Sequence, residues 1–545
     1  MTSGLYTSGR NHAASSTVEE RMATQRQLLA AVLTAFLSAI ASFAGAAAPA
    51  PLRCDDVTFL RRATLDLVGR QPTVEELDAF VASRSKSKRA DLVDRLLADP
   101  AWATNWARYF RDVILYKRTD ERAIFMAGPL EDFLKEKLDR PTPNWDEVAR
   151  EMITATGAPL EHGETAIIIA QMGETAEIAA EVSRVFNGIQ IQCAQCHDHF
   201  TDRWKRNQFH EFAAFFPRIE IRRQPGEGPD RFEVVSRDVD RRRAAKKPDN
   251  PRLGQIEHRM PDLDDPSKPG TVMQSRFFLT SDSLPLGTPD KERRKMADRL
   301  VTSKNNPWFA RAIVNRIWTE LVGDGFYDGI DDLGPDREPR NSEMLESLCD
   351  TFVASDHDIK TLFRGVMATP AYQSPAESRS SASRDVGETS CPQRLRADQL
   401  FSQVMTALGI DEEALPVRMG KKGGEMKKAF GTPRAGFNQA FGFDPGLPRD
   451  EITSSIPQVL MLMNGPQLAR AIDGDRPTLL GRLLRDEPDD RAVADELHVR
   501  TLGRHATPAE IAVCVDHVRD TGDRAEAFED IFWALINSAE FITRK

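Results

Sequence analysis

The chain has 545 residues, with 73 Lys and Arg against 83 Asp and Glu and a formal net charge of −10. That acidic balance argues against a nucleic-acid partner, which needs a dense basic face to neutralise phosphates. With 29% charged residues and 6 cysteines, the chain is neither a membrane-embedded bundle nor a small disulfide-dense scaffold, and its length supplies material for two or more cored domains.

Near the N-terminus, Arg21 and Arg26 precede an apolar run from Leu28 to Phe43, and Ala44-Gly45-Ala46 is a small-residue cleavage pattern. Residues 1–46 read as a secretory signal peptide cut near Ala46; left uncut, the same run is a weak, alanine-rich membrane anchor. Arg53 stands where a lipoprotein signal needs a small residue, which argues against a lipid on Cys54. No later stretch approaches the roughly eighteen consecutive apolar residues of a transmembrane helix. The expected mature protein is exported, periplasmic or at the cell surface, with no stable membrane span.

Helical periodicity dominates the remainder, so the expected fold is mainly α and multi-helical, in two domains with a few short β-strands near their boundary. Thr73-Val74-Glu75-Glu76 is a capping box, and Leu77, Phe80 and Val81 follow at helical spacing, predicting a helix over 74–82. The pattern returns at Thr507-Pro508-Ala509-Glu510, each time preceded by a Gly-Arg pair, Gly69-Arg70 and Gly503-Arg504. A second echo joins segments starting at Leu92, Leu362 and Ile531, each an amphipathic helix ending in a small residue and an aromatic. Internal duplication and convergent helix-ending chemistry both account for these echoes. Short strands are expected at Ile219–Arg222, Phe232–Val235 and Gln274–Thr280. A charged, Pro- and Gly-rich stretch over 223–270 separates an N-terminal helical domain, 47–222, from a C-terminal one, 271–545.

One segment carries chemistry. "IQIQCAQCHDHF", residues 189–200, places Cys193, Cys196 and His197 in the order C-x-x-C-H, with His199 close behind. At this composition the motif arises by chance on the order of 10⁻³ times per chain. Ile178, Val182, Val185, Phe186 and Ile189 recur at three- and four-residue steps, and Asn187-Gly188 stops that helix just before the motif. Trp204, Phe209, Phe212 and Phe216 form a second stripe, ended by Pro217. A connector between helices suits covalent haem c attachment, in which two thiols hold the porphyrin and the adjacent imidazole binds the iron. For the sixth ligand His210 is better placed than Met172, His258 or Met260, with an open or solvent-bound position the alternative.

Zinc is the competing cofactor, with Cys193 and Cys196 completed by His197, His199 or His210. A thioredoxin-like dithiol needs a neighbouring βαβ pattern, and none is visible. Cys54, Cys349, Cys391 and Cys514 allow up to two disulfides in an oxidising compartment, or buried free thiols. In the second half, Asn315-Arg316 and the acidic run Asp328 to Asp336 mark either a binding surface or a buried helix face beside a hydrated turn. No phosphate loop, Ser/His/Asp arrangement or H-E-x-x-H is apparent, and no catalytic residue is assigned.

"FLRRATLDLVGRQPTVEELDAFVA" (59–82), "LVDRLLADPAWATNWARYFRD" (92–112) and "IQCAQCHDHFTDRW" (191–204) resemble the planctomycete cytochrome-associated proteins with domain of unknown function 1549. "NPWFARAIVNRIWTELVGDGF" (306–326), "LFRGVMATPAYQ" (362–373) and "IPQVLMLMNGPQL" (456–468) resemble the usual companion, domain of unknown function 1553. The family's Pro-Phe-Asp-x-Trp after the second histidine is matched here at Asp202 and Trp204, without the proline. The resemblance implies large exported bacterial proteins, often found with cytochrome c-like domains, and names no substrate. Two expectations follow. One is an exported haem c protein serving extracytoplasmic electron transfer with a redox partner; the other is an exported scaffold with a structural metal, binding a cell-surface component.

Overall fold

The computed structural model describes residues 53–119, 121–199, 202–224, 232–240, 255–377, 386–412, 415, 432–442, 444–447 and 466–545. The expected signal peptide and parts of the charged stretch, 225–231 and 241–254, lie outside the described residues. The fold is mainly α, with three short antiparallel strand pairs among the described residues. Ile219–Arg223 pairs with Phe232–Ser236, Ile219 opposite Ser236, as the first two expected strands require.

The third expected strand, Gln274–Thr280, is not one. Phe277 and Phe278 are both buried, and adjacent residues of a strand point to opposite faces. The backbone turns instead: Phe277 N–H donates to Asp282 O at 2.8 Å, Ser281 N–H donates back to Phe277 O at 2.8 Å, and Ser281 takes φ +64°. Both rings thereby reach one side, where Phe278 meets Trp204 edge-on at 5.1 Å.

Both capping boxes form. Thr73 Oγ1 accepts from Glu76 N at 3.2 Å while Glu76 Oε2 accepts from Thr73 N at 2.9 Å, starting the Val74–Ala82 helix. Thr507 and Glu510 repeat the exchange at 3.2 and 2.7 Å to start Pro508–Thr521. Each box follows a helix ended by a left-handed glycine, Gly69 after Asp56–Val68 and Gly503 after Asp490–Leu502. Arg70 and Arg504 each clasp the box glutamate with two nitrogens. Even the first-turn partners correspond, Asp56 with Arg89 and Asp490 with Arg524. The sequence echo is thus one local module built twice. The copies touch: a Cβ on Gly503 would lie 2.4 Å from Gln71 Oε1, and Gln71 Nε2 donates to Thr501 O at 3.2 Å.

The second echo also folds alike. Asp99, Thr369 and Ser538 each cap a new helix directly after the old one, with Asp99 Oδ1 taking Ala101 N at 2.9 Å and Ser538 Oγ taking Phe541 N at 3.1 Å. Three residues past each cap stands an aromatic ring with no exposed surface: Trp102, Tyr372 and Phe541.

Apolar side chains gather in two clusters. The larger draws on residues 54–386 together with Val499 and so joins both sides of the charged stretch, with Phe363 packed edge-on against Trp102 at 5.6 Å and Trp106 at 4.4 Å. The smaller takes Leu65 and residues 395–541. Buried charge links them. Arg396, fully enclosed, reaches Glu320 at 3.0 Å, Asp398 at 3.2 Å and Asn105 Oδ1 at 2.5 Å, and lies over the rings of Trp106 and Tyr109 at 5.4 and 5.1 Å. Burial alone would push the Asp398 carboxyl up; Arg396, with Arg111 and Arg434, holds it down at about 2. Near the C-terminal end, strand Thr543–Arg544 pairs with Gln393–Arg394. From it Arg544 enters the interior to meet Asp66 at 2.8 Å, which also accepts from the Tyr372 hydroxyl at 2.8 Å. Arg61 reaches the carbonyls of Glu540 and Thr543 at 2.7 and 3.0 Å.

Candidate functional site

The helix leading into the C-x-x-C-H segment spans Thr175–Asn187 and ends at Gly188 in the left-handed region, φ +66°, where the apolar stripe and Asn-Gly stop place it. Ser183 Oγ–H donates to Ile189 O at 2.8 Å, turning the chain sharply. A single 3-10 turn, Ile191–Gln195, follows. Ile191 and Ala194 are fully buried and pin its inner side. A 3-10 helix has three residues per turn, so side chains three apart eclipse one another. Cys193 and Cys196, the latter at the C-cap, therefore share the outer side, and both are free and exposed.

His197 is exposed next to them, its Nδ1 2.8 Å from the carbonyl of Asp198. A carbonyl only accepts, so Nδ1 carries the hydrogen and, in the neutral ring, Nε2 carries the lone pair. This is the tautomer an iron or zinc ligand needs, set by the backbone hydrogen bond that usually orients such ligands. Asp198 in turn accepts from Arg206 N at 3.0 Å and Lys205 Nζ at 3.1 Å, tying the motif to the start of the Arg206–Ala213 helix. Those bonds hold its carboxyl below the ordinary range, the backbone N–H of Arg206 contributing most. His199 N–H closes the loop on Trp204 O at 2.8 Å. Trp204, Phe209 and Phe212 are buried core residues, so the aromatic stripe packs the interior beneath the motif.

His210, expected as a further ligand, is placed otherwise. It is buried, with Nε2 3.0 Å from the Gln195 carbonyl and Nδ1 2.9 Å from His258 Nε2. Burial lowers both imidazoles, His258 to about 4, where the neighbouring His210 adds to the effect. Among the described residues no three His, Cys, Asp or Glu side chains form a group able to hold a metal ion. Met260 lies in the small strand Arg259–Met260, and Met172 is exposed at φ +51°. Cys54, Cys349, Cys391 and Cys514 are all buried and none is in a disulfide, the second of the two alternatives that the sequence left open.

The acidic run of the second half lies against this site. Leu333 N–H donates to Gly188 O at 2.8 Å, and Arg203 is paired with Asp336. Asp202, one of the two residues matching the family pattern, shares a hydrogen bond with Asp336. Burial, aided by Asp336, raises the Asp202 carboxyl, while Arg203 holds Asp336 down at about 2. Gly334 is required here: a Cβ would fall 2.1 Å from Asp202 Oδ2. Of the two readings of Asn315 and Arg316, the structure has the buried helix face, with Arg316 paired to the nearby Asp331. Asn315 Nδ2 donates to Ile330 O at 3.1 Å and its Oδ1 accepts from Phe326 N at 2.9 Å, while Arg316 and Arg184 flank Asp331. They shape the acidic loop from within. The signals missed from sequence were the Asp202–Asp336 pair and His258, each joined to the motif region across a long chain separation.

Residues 40–221 match the family model PSCyt2, a protein of unknown function (DUF1549), and residues 292–422 match PSD1, a protein of unknown function (DUF1553). The chain thus carries a DUF1549 segment followed by a DUF1553 segment, and the C-x-x-C-H motif falls in the first. No curated protein and no solved structure matches it.

Proposed function

We propose that Cys193 and Cys196 carry a covalently attached haem c, with His197 as axial ligand, and that the protein moves electrons outside the cytoplasm. The observation carrying this reading is one turn that offers two free, exposed thiols on a single side, its other side pinned by Ile191 and Ala194, with an oriented imidazole next in sequence. Each thiol adds across a porphyrin vinyl bond, sulfur to one carbon and hydrogen to the other, so nothing leaves. His197, held as the Nδ1–H tautomer by Asp198 O, presents Nε2 as the ligating nitrogen. The bound group would supply one-electron chemistry. Asp198, Lys205 and Arg206 fasten the loop, and the buried aromatic layer beneath keeps it from collapsing inward.

Export supports the same reading, because this attachment takes place outside the cytoplasmic membrane, and the N-terminal sequence has the pattern of a secretory signal. Among the described residues no helix is long and apolar enough to cross a membrane. A structural zinc would need two ligands beyond the cysteines, and the described residues gather no such group.

The test is expression of the full chain with haem-maturation machinery. A Soret band together with a haem mass increment on the peptide holding Cys193 and Cys196, both lost in the Cys193→Ala/Cys196→Ala variant, is the expected result. A folded product with neither signal sinks the proposal.

A further inference from the structure

The Gln195 carbonyl lies between the two cysteines, at the end of the Ile191–Gln195 turn, where a helix leaves its final carbonyls without internal partners. Two side chains from the next helix cover it: His210 Nε2 at 3.0 Å and Arg206 Nε at 3.3 Å. The carbonyl only accepts, so His210 Nε2 bears a hydrogen, and in the neutral ring Nδ1 bears the lone pair. The atom 2.9 Å from that lone pair is His258 Nε2, which must then donate. The rings are 24° from parallel with centroids 5.2 Å apart, a separation that accommodates an end-to-end N–H···N bond between imidazoles. Position alone fixes both tautomers.

The far end of this chain of bonds is anchored too. Met273 N–H donates to His258 O at 2.9 Å, and Arg206 Nη2 reaches Pro261 O at 2.7 Å, so the short hairpin Arg259–Met260 with Thr271–Val272 is secured behind the histidines. The stretch that reads as a linker in sequence thus contacts the C-x-x-C-H turn through the half-buried imidazole of His258 and the buried one of His210.

We propose that His210 and His258 are positioning residues for the cysteine pair: the sequence of bonds His258 Nε2–H to His210 Nδ1, and His210 Nε2–H to Gln195 O, fixes the peptide plane between Cys193 and Cys196. That plane sets how the two thiols and His197 are presented together. The role of these histidines rests on the haem reading of the site; their geometry does not. It also removes His210 from the pool of iron ligands, since ligation through Nε2 would break the bond to Gln195.

The experiment uses the full chain, produced with haem-maturation machinery and labelled with ¹⁵N-histidine. A through-hydrogen-bond ¹⁵N–¹⁵N coupling between His210 Nδ1 and His258 Nε2 is expected in the unsubstituted protein. His210→Leu should lower covalent haem per chain by about tenfold, in the range for losing a group that orients a ligand, with His258→Leu between it and wild type. His210→Gln keeps one donor and one acceptor and should restore most of the haem. Haem present without the coupling overturns the proposal. So does an equal loss of haem in the Leu and Gln variants, which would mark the site as merely structural. A folded wild-type protein without haem overturns the reading beneath it, whatever the coupling shows.

Discussion

Replacing Arg396 with methionine removes a buried cation that serves several partners. The guanidinium is enclosed and serves Glu320, Asp398 and Asn105 at once, while its plane covers Trp106 and Tyr109. Methionine retains much of the volume but removes the cation that Glu320 and Asp398 share, and breaking a buried pair costs about 3–5 kcal/mol, an upper bound here because Arg111 and Arg434 also act on Asp398. The lost ring contacts add roughly 0.5–1 kcal/mol. Asp398 gives an independent estimate: held at about 2 against an ordinary 3.8, it contributes about 2 kcal/mol near neutral pH. The sign follows from a depressed carboxyl. Its contribution is full above the unfolded value and is lost as pH falls from about 4 to about 2. Urea unfolding followed by tryptophan fluorescence should show the loss near pH 7, and the variant's stability should depend less on pH across that acid window. Adding Asp398→Asn should recover part of it. A variant within about 1 kcal/mol of wild type, or a loss undiminished in the double substitution, would refute the account.

Gly503→Ala should destabilise by more than about 1 kcal/mol, because φ is +66° and the new Cβ meets Gln71, whereas Gly522→Ala, at φ +74° with open space around it, should cost only the backbone strain; thermal unfolding separates the two. His505 joins Asp495 at 2.7 Å and Asp78 at 3.1 Å, and the Asp495 bond raises its pKa. Its contribution is therefore complete below the ordinary histidine value and lost as pH rises through the folded one. Being half-exposed, it should amount to less than about 1 kcal/mol, and His505→Asn should flatten stability against pH in that range. Iodoacetamide on the folded, haem-free chain should modify Cys193 and Cys196 and spare Cys54, Cys349, Cys391 and Cys514, as peptide mass analysis would show.

Local chemistry was the legible part of this fold. Both capping boxes, the Asn187-Gly188 stop and the strand at Ile219 follow from residues within a few positions of each other, and the structure has all of them. The pair Phe277-Phe278 misled the strand reading because burial of two neighbours demands a turn that no nearby residue announces. Arg184 and Arg396 look like surface cations in sequence; besides a carboxylate two or three residues away, Glu181 and Asp398, each meets one far along the chain, Asp331 and Glu320, so their burial is a tertiary fact. At the motif, the cysteines and His197 were readable, while the part played by His210 was not, since it depends on His258, 48 positions away in a stretch with no apolar periodicity.

The bond from Arg544 to Asp66 spans 478 positions, and Arg61 depends on carbonyls 479 and 482 positions away. During synthesis, the Asp56–Val68 helix leaves the ribosome long before the groups that neutralise its buried arginines and aspartate exist. Until then, closing the interior around it would strand those charges, so the early segment is kept from premature collapse. The chain therefore commits to its final shape only after nearly all of it has been synthesised.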